Sequence, residues 1–191
     1  MLSREKIIEI FEETGVLQEG HFVLSSGLHA DKYLQCAQVL QYPEYADQLA
    51  ESIAELWSEQ EIDVVIGPAM GGIILSYAVG QALGVRAIFA ERKEGEMKLR
   101  RNFTVSPQEK ILLVEDVVTT GGSVREVIDI LEEQNASLAG ISSLVDRSGG
   151  EVEFSYPFKP LLELEVISYE PGKCELCEKN IDFNKPGSKQ V

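Results

Sequence analysis

The apolar and polar positions of this chain change period along its length, and the changes divide it. Over residues 3–13, Ile7, Ile10 and Phe11 recur at helical spacing among charged neighbours, which predicts an amphipathic helix closed near Gly15. Residues 20–38 alternate apolar and polar positions around Ser25, Ser26 and Gly27, and read as a hairpin-like pair of short strands. Such an excursion suits either a hood over a site or a packing appendage. Pro43 fits the first turn of a helix running to about residue 60, with Tyr45, Leu49, Ile53, Leu56 and Trp57 facing inward. A βα rhythm then sets in, with strands expected at 63–67, 85–91, 110–116, 138–146 and 161–167 and helices at 71–83 and 123–134. Strands alternating with helices of this length predict an α/β fold, a mainly parallel twisted sheet flanked by helices. The expected organisation is a single domain over residues 1–191. About 1–40 form its N-terminal helix and hood, and about 171–191 form an irregular tail with Pro171, Gly172, Pro186 and Gly187.

Composition narrows the function classes. The chain has 191 residues, enough to bury one full core, and its 44% apolar and 26% charged content is ordinary for a globular protein. A net charge of −15 argues against nucleic acid or anionic membranes as partners, so an anionic substrate needs a local basic patch. No apolar stretch approaches the roughly 20 residues that span a bilayer. Charged and apolar residues alternate from Ser3 onward, unlike a signal peptide. Three cysteines do not frame a disulfide-built domain. A cytoplasmic location is expected.

The chemistry concentrates at one strand end. Ile111, Leu112, Leu113 and Val114 form a continuous apolar run, as in a strand buried on both faces. Glu115 and Asp116 follow, where open α/β sheets bind ligands. After Val117 and Val118 come Thr119, Thr120, Gly121, Gly122 and Ser123, which supply hydroxyls and permissive backbone just before a helix. Helix N-termini with free N–H groups bind anions. A tight turn capped by Ser123 would explain the glycines, but not two carboxylates leaving an apolar strand. A second glycine-rich turn, GPAMGG at 67–72, repeats this logic and suggests a second phosphate site.

Residues 91–103 hold Arg92, Lys93, Lys98, Arg100 and Arg101 against Glu91, Glu94 and Glu96, a local positive surplus in an acidic chain. Arg92 and Lys93 lie nearest the preceding strand and suit phosphate contact; Lys98, Arg100 and Arg101 suit a solvated hairpin or a neighbouring subunit. Arg147, after Asp146 and before Gly149 and Gly150, could fork onto a planar carboxylate or carbonyl. Cys174 and Cys177 have the spacing of half a zinc site, but a structural site needs four ligands, and His21 and His29 are far away in sequence. A metal site completed by folding or by a dimer partner, a redox pair, and a plain tail turn all remain open.

VEDVVTTGGS, residues 114–123, resembles the 5-phosphoribosyl-1-pyrophosphate (PRPP) signature of the type I phosphoribosyltransferases. FVLSSG at 22–27 with nearby Tyr33, GPAMGG, Arg92-Lys93 and LVDRSGG at 144–150 extend the likeness to the orotate branch of that family. The resemblance implies the type I phosphoribosyltransferase fold with an N-terminal hood, and transfer of phosphoribosyl from PRPP to orotate. It implies Glu115, Asp116 and Lys93 as catalytic residues. PRPP would meet Arg92, Lys93, Glu115, Asp116, Val117, Val118, Thr119, Thr120, Gly121, Gly122 and Ser123. Orotate would meet Thr119, Arg147, Ser26, Gly27 and Tyr33. Mg²⁺ is implied as cofactor, held mainly by substrate and water, and so is a homodimer. Two departures stand out: Ser25 replaces a lysine found in many relatives, and the short segment 94–102, without histidine, replaces their long glycine-rich loop. A purine-type phosphoribosyltransferase or a non-catalytic PRPP-binding regulator shares the PRPP turn. The absence of GxGxxG after the first sheet strand counts against a dinucleotide-binding fold.

Overall fold

The computed structural model describes residues 1–24 and 27–185. Helix α1 (Arg4–Glu13) starts at Ser3, whose hydroxyl accepts from the Lys6 N–H, and buries Ile7, Ile10 and Phe11. Strands β1 (Leu17–Val23) and β2 (His29–Leu34) pair antiparallel as the expected hairpin. A short helix α2 (Ala37–Leu40) leads into α3 (Pro43–Leu56).

The α/β body follows with β3 (Val64–Pro68), α4 (Gly71–Leu83), β4 (Arg86–Lys93), β5 (Glu96–Leu99), β6 (Lys110–Val118), α5 (Gly122–Glu133), β7 (Ser137–Asp146) and β8 (Phe158–Glu163). The last strand, β9 (Ser168–Tyr169), joins β1 and β2 in a three-stranded hood sheet ordered β1-β2-β9. The main sheet is ordered β5-β4-β3-β6-β7-β8, and its ladders are parallel except for β4–β5. Among the described residues no helix is long and apolar enough to cross a membrane.

Alternation along the central strands builds two cores. Val65, Leu112 and Val114 pack with Ile53 of α3 and Leu75 of α4, while Val64, Ile66, Ile111 and Leu113 pack with Val124, Val127 and Leu131 of α5. Both faces of β6 are thus covered, which is why its sequence is an unbroken apolar run.

Three expectations needed correction. Helix α3 ends at Leu56 rather than near residue 60, because Trp57 turns into the core. The Trp57 indole N–H donates to Ser142 Oγ at 2.9 Å, and its ring fills the space where a side chain on Gly140 would overlap it. The last main-sheet strand starts at Phe158, three residues early; as an edge strand it accommodates Pro160. The tail contains a 3₁₀ turn (Pro171–Lys173) and one helical turn α6 (Glu175–Glu178). It lies along β1, with Val23 N–H donating to Asn184 O at 2.9 Å and Asn184 N–H to His21 O at 2.8 Å.

Candidate active site

Strand β6 ends in the acidic pair. Glu115 is 8% exposed, whereas Asp116 is half-buried. Burial, and then the neighbouring Asp116 charge, push the Glu115 carboxyl up to about 9. At neutral pH Glu115 is therefore a neutral acid able to donate a hydrogen bond. Asp116 is fixed by accepting from the Val117 N–H at 2.9 Å.

The Glu115 assignment has a testable sign. The folded protein keeps this proton between 4.5 and about 9, while the unfolded chain loses it near the lower value, so stability falls as pH rises through that window. Glu115→Gln removes the titration. The variant's melting temperature is expected to fall less than that of the parent across the window; superimposable profiles in thermal scans would contradict a buried neutral acid.

After β6, Thr119 and Thr120 are exposed, Gly121 adopts φ 72°, and α5 starts at Gly122 with no side chain capping its first N–H groups. Those donors are left for an anion. A hollow of about 70 Å³ lies within this loop, lined by Glu115 and the residues from Val117 to Val124.

The GPAMGG turn joins β3 to α4, and α4 too begins without a side-chain cap. Its glycines are required by close packing. A Cβ on Gly67 would strike the Gly72 carbonyl, and a Cβ on Gly71 would strike the Asp116 carboxylate. The second turn therefore backs the principal charge of the first. The Ala69–Met70 peptide is cis.

A cleft of about 860 Å³ opens beside these turns, between Leu24, Leu28 and Tyr33 of the hood and Thr119, Thr120 and Arg147 of the body. Arg147 is half-buried, and among the described residues no carboxylate pairs with it. Burial draws its guanidinium below the usual value, with Tyr33 and Cys36 acting the other way. The loop that follows is shaped by Asp146, whose Oδ1 accepts from the Ser148 N–H at 2.8 Å. Tyr33 donates to Gln35 Oε1 at 3.0 Å and lies 5.6 Å from the Phe22 ring.

The basic segment forms a hairpin. Strands β4 and β5 pair Lys93 with Glu96, and the two intervening residues, Glu94 and Gly95, have φ of 56° and 89°. Positive φ at both central positions is the mark of a tight two-residue turn. Arg92 pairs with Glu126 of α5 at 2.5 Å, Lys98 with Glu96 at 2.5 Å, and Arg100 and Arg101 with Glu91 at 3.2 and 3.0 Å. Lys93 is the least engaged, with Glu94 at 4.0 Å. The exposed pairs of Lys93 and Lys98 contribute about 0–1 kcal/mol, so a phosphate could replace them at small cost, whereas the Glu91 and Glu126 oxygens that hold Arg92, Arg100 and Arg101 are buried.

The structure thus gathers Thr119, Tyr33 and Arg147 at one cleft, and the acidic pair and both glycine turns beside it. Gly27, at φ 83°, closes the hood turn through its N–H to Leu24 O at 2.9 Å. Ser26 and Ser25 lie outside the described residues. The hood residues Leu24 and Leu28 line the cleft without having been singled out by sequence; their position beside Ser25-Ser26-Gly27 was the available signal. Cys174 and Cys177 sit away from this cleft, against His21 and His29.

The phosphoribosyl transferase domain family matches residues 35–173. A Caldicellulosiruptor saccharolyticus protein named orotate phosphoribosyltransferase is 51% identical over 190 residues, covering 100% of both chains. A Thermotoga maritima protein of the same name is 52% identical over 183 residues, covering 96% of this chain and 98% of its own. At the level of fold, Mycobacterium tuberculosis orotate phosphoribosyltransferase in complex with inorganic phosphate superposes with a TM-score of 0.68 at 21% identity, over 84% of this chain and 96% of that one. A double glycine turn around a carboxylate, on a sheet of this topology and with such relatives along its whole length, places the chain in the phosphoribosyltransferase family, among the orotate phosphoribosyltransferases.

Proposed function

We propose that this enzyme transfers the phosphoribosyl group of PRPP to N1 of orotate, releasing pyrophosphate and forming orotidine 5′-monophosphate for pyrimidine synthesis. The observation that carries the acceptor is Arg147, a half-buried cation without a carboxylate partner among the described residues, facing a cleft large enough for a planar base. Orotate brings a carboxylate and ring carbonyls that match a guanidinium fork. The relatives named for orotate, at about half identity over their full length, favour it over a purine.

Each part then has a task. Thr119 to Ser123 and the uncapped start of α5 receive the 5′-phosphate. Glu115 and Asp116 meet the ribose hydroxyls, Glu115 as a neutral donor and Asp116 as the charge. Breaking the C1–pyrophosphate bond builds positive character on the ribose ring, which the Asp116 carboxylate stabilises. The start of α4 and Lys93 face the departing pyrophosphate, with Arg92 recruited from Glu126. Thr119 and Tyr33 border the base. Orotate is already anionic, so no strong general base is assigned.

Among the described residues the acidic pair is not part of a group of three or more closely spaced metal ligands; the one such group lies between the hood and the C-terminal tail. That donor set fits Mg²⁺ carried on substrate oxygens and water, with Asp116 steadying its outer waters or the hydroxyls. When bound, Mg²⁺ offsets the charge of the leaving pyrophosphate. A homodimer is supported by an apolar stripe at helical spacing at the start of α4: Met70, just before the helix, and Ile74 and Tyr77 on it are 80%, 48% and 67% exposed. A cytoplasmic location agrees with three cysteines that form no disulfide.

Base selectivity tests the acceptor assignment. With PRPP and Mg²⁺, orotate is expected to be converted, and adenine, hypoxanthine and xanthine left unchanged at equal concentration. Faster conversion of any purine would reassign the cleft.

A further inference from the structure

Away from the substrate cleft, four side chains from distant parts of the chain converge. His21 comes from β1, His29 from β2, Cys174 from the position just before α6 and Cys177 from within it. One ligand atom from each lies within 4.8 Å of all the others. The hairpin register pairs Val23 with His29, and the ladder shifts between Glu19 and Phe22, at His21; across the hairpin His21 Nε2 lies 2.7 Å from His29 Nδ1. The CxxC spacing brings both thiols to this pair from one helical turn.

The distances suit a tetrahedral ion. Cys174 Sγ lies 3.6 Å and Cys177 Sγ 3.7 Å from His21 Nε2, and Cys177 Sγ lies 3.3 Å from His29 Nδ1. With Zn–S of about 2.3 Å and Zn–N of about 2.0–2.1 Å, tetrahedral geometry requires S···N separations of about 3.5 Å. The two imidazole nitrogens, 2.7 Å apart, would have to open by about 0.6–0.7 Å to reach the tetrahedral N···N distance of about 3.3–3.4 Å.

The surroundings also fit. His21 Nδ1 donates to the Ile181 carbonyl at 2.7 Å, which fixes the tautomer and turns the Nε2 lone pair toward the other three groups. His21, His29 and Cys174 are buried. Phe183 covers both imidazoles, with ring centroids 5.8 and 6.0 Å away. Two thiolates would neutralise a dication, so the buried centre would carry no net charge.

We propose that His21, His29, Cys174 and Cys177 form a closed Cys₂His₂ site for Zn²⁺ that fastens the C-terminal tail to the hood. Four protein ligands leave no open position, so the site is structural rather than catalytic. It stands independently of the acceptor assigned above. Its consequence for the enzyme is mechanical: β1 and β2 flank the turn that presents Leu24 and Leu28 to the cleft, and β2 carries Tyr33. The ion holds that hairpin against the tail.

Full-length protein expressed with zinc and purified without chelator is expected to contain about one zinc per chain by elemental analysis, as a closed four-ligand site requires. Cys177→Ser and His21→Ala are expected to lose most of it. Because these variants could also disturb folding, the parent protein provides a second reading. After removal of zinc and addition of Co²⁺, it should show the visible ligand-field bands of tetrahedral cobalt and thiolate-to-cobalt charge transfer. Cys174 and Cys177 should resist a thiol reagent until a chelator is added. A zinc content of a small fraction per chain together with an octahedral cobalt spectrum would overturn the proposal. So would a Cys174–Cys177 disulfide found by mass spectrometry in freshly purified protein.

Discussion

Asp116→Asn is expected to lower turnover tenfold or more while leaving the melting temperature close to that of the parent. The substitution is nearly isosteric, and an asparagine Oδ1 can still accept from the Val117 N–H that orients the native carboxylate at 2.9 Å. What disappears is the charge. Glu115 does not replace it, because burial, the largest cause that raises its carboxyl, remains in the variant. A tenfold loss corresponds to about 1.4 kcal/mol of transition-state stabilisation, modest for a full charge beside a developing oxocarbenium ion in a sheltered site. The loss should fall on kcat, since the charge matters most once the pyrophosphate bond is breaking. Steady-state kinetics of the folded variant decide it, and parental values of kcat would remove Asp116 from the chemistry.

Arg147→Ala should act on the other substrate. A charge-assisted fork onto a carboxylate contributes about 1.5–3 kcal/mol, which predicts a rise of roughly 10- to 150-fold in the KM for orotate. The contact is present in both ground and transition states, so kcat should change much less. The KM for PRPP should stay within a few-fold, because Arg147 lies across the cleft from the hood rather than in the loop before α5. Unchanged orotate KM, or an equal loss for both substrates, would count against Arg147 as the acceptor's anchor.

The features that both predictions rely on were largely legible in sequence, since they are local. An apolar run followed by two acids, two threonines and two glycines specifies strand, turn and helix start within a dozen residues. Helix α4 occupies 71–83 as its pattern predicts. What sequence hid was decided by distant partners. The early end of α3 depends on Trp57 reaching Gly140 and Ser142, and the pairing of Arg92 depends on Glu126 of a helix that follows a different strand. Strand β5 was legible only as part of a solvated hairpin, because Glu-Met-Lys-Leu reads as a charged segment in which Met97 alone is buried. Gly71 reads as one more permissive turn residue, whereas its missing side chain makes room for the Asp116 carboxylate. The histidines escaped for the same reason: His21 and Cys174 are separated by 153 positions, and only the return of the tail along β1 brings them together.

The central claim is phosphoribosyl transfer to orotate, and the direct measurement is pyrophosphate release by the purified protein given PRPP and Mg²⁺, with and without orotate. The predicted result is release that depends on orotate, matched mole for mole by orotidine 5′-monophosphate. Release without orotate consumption, or no orotate consumption under any metal condition, would contradict it.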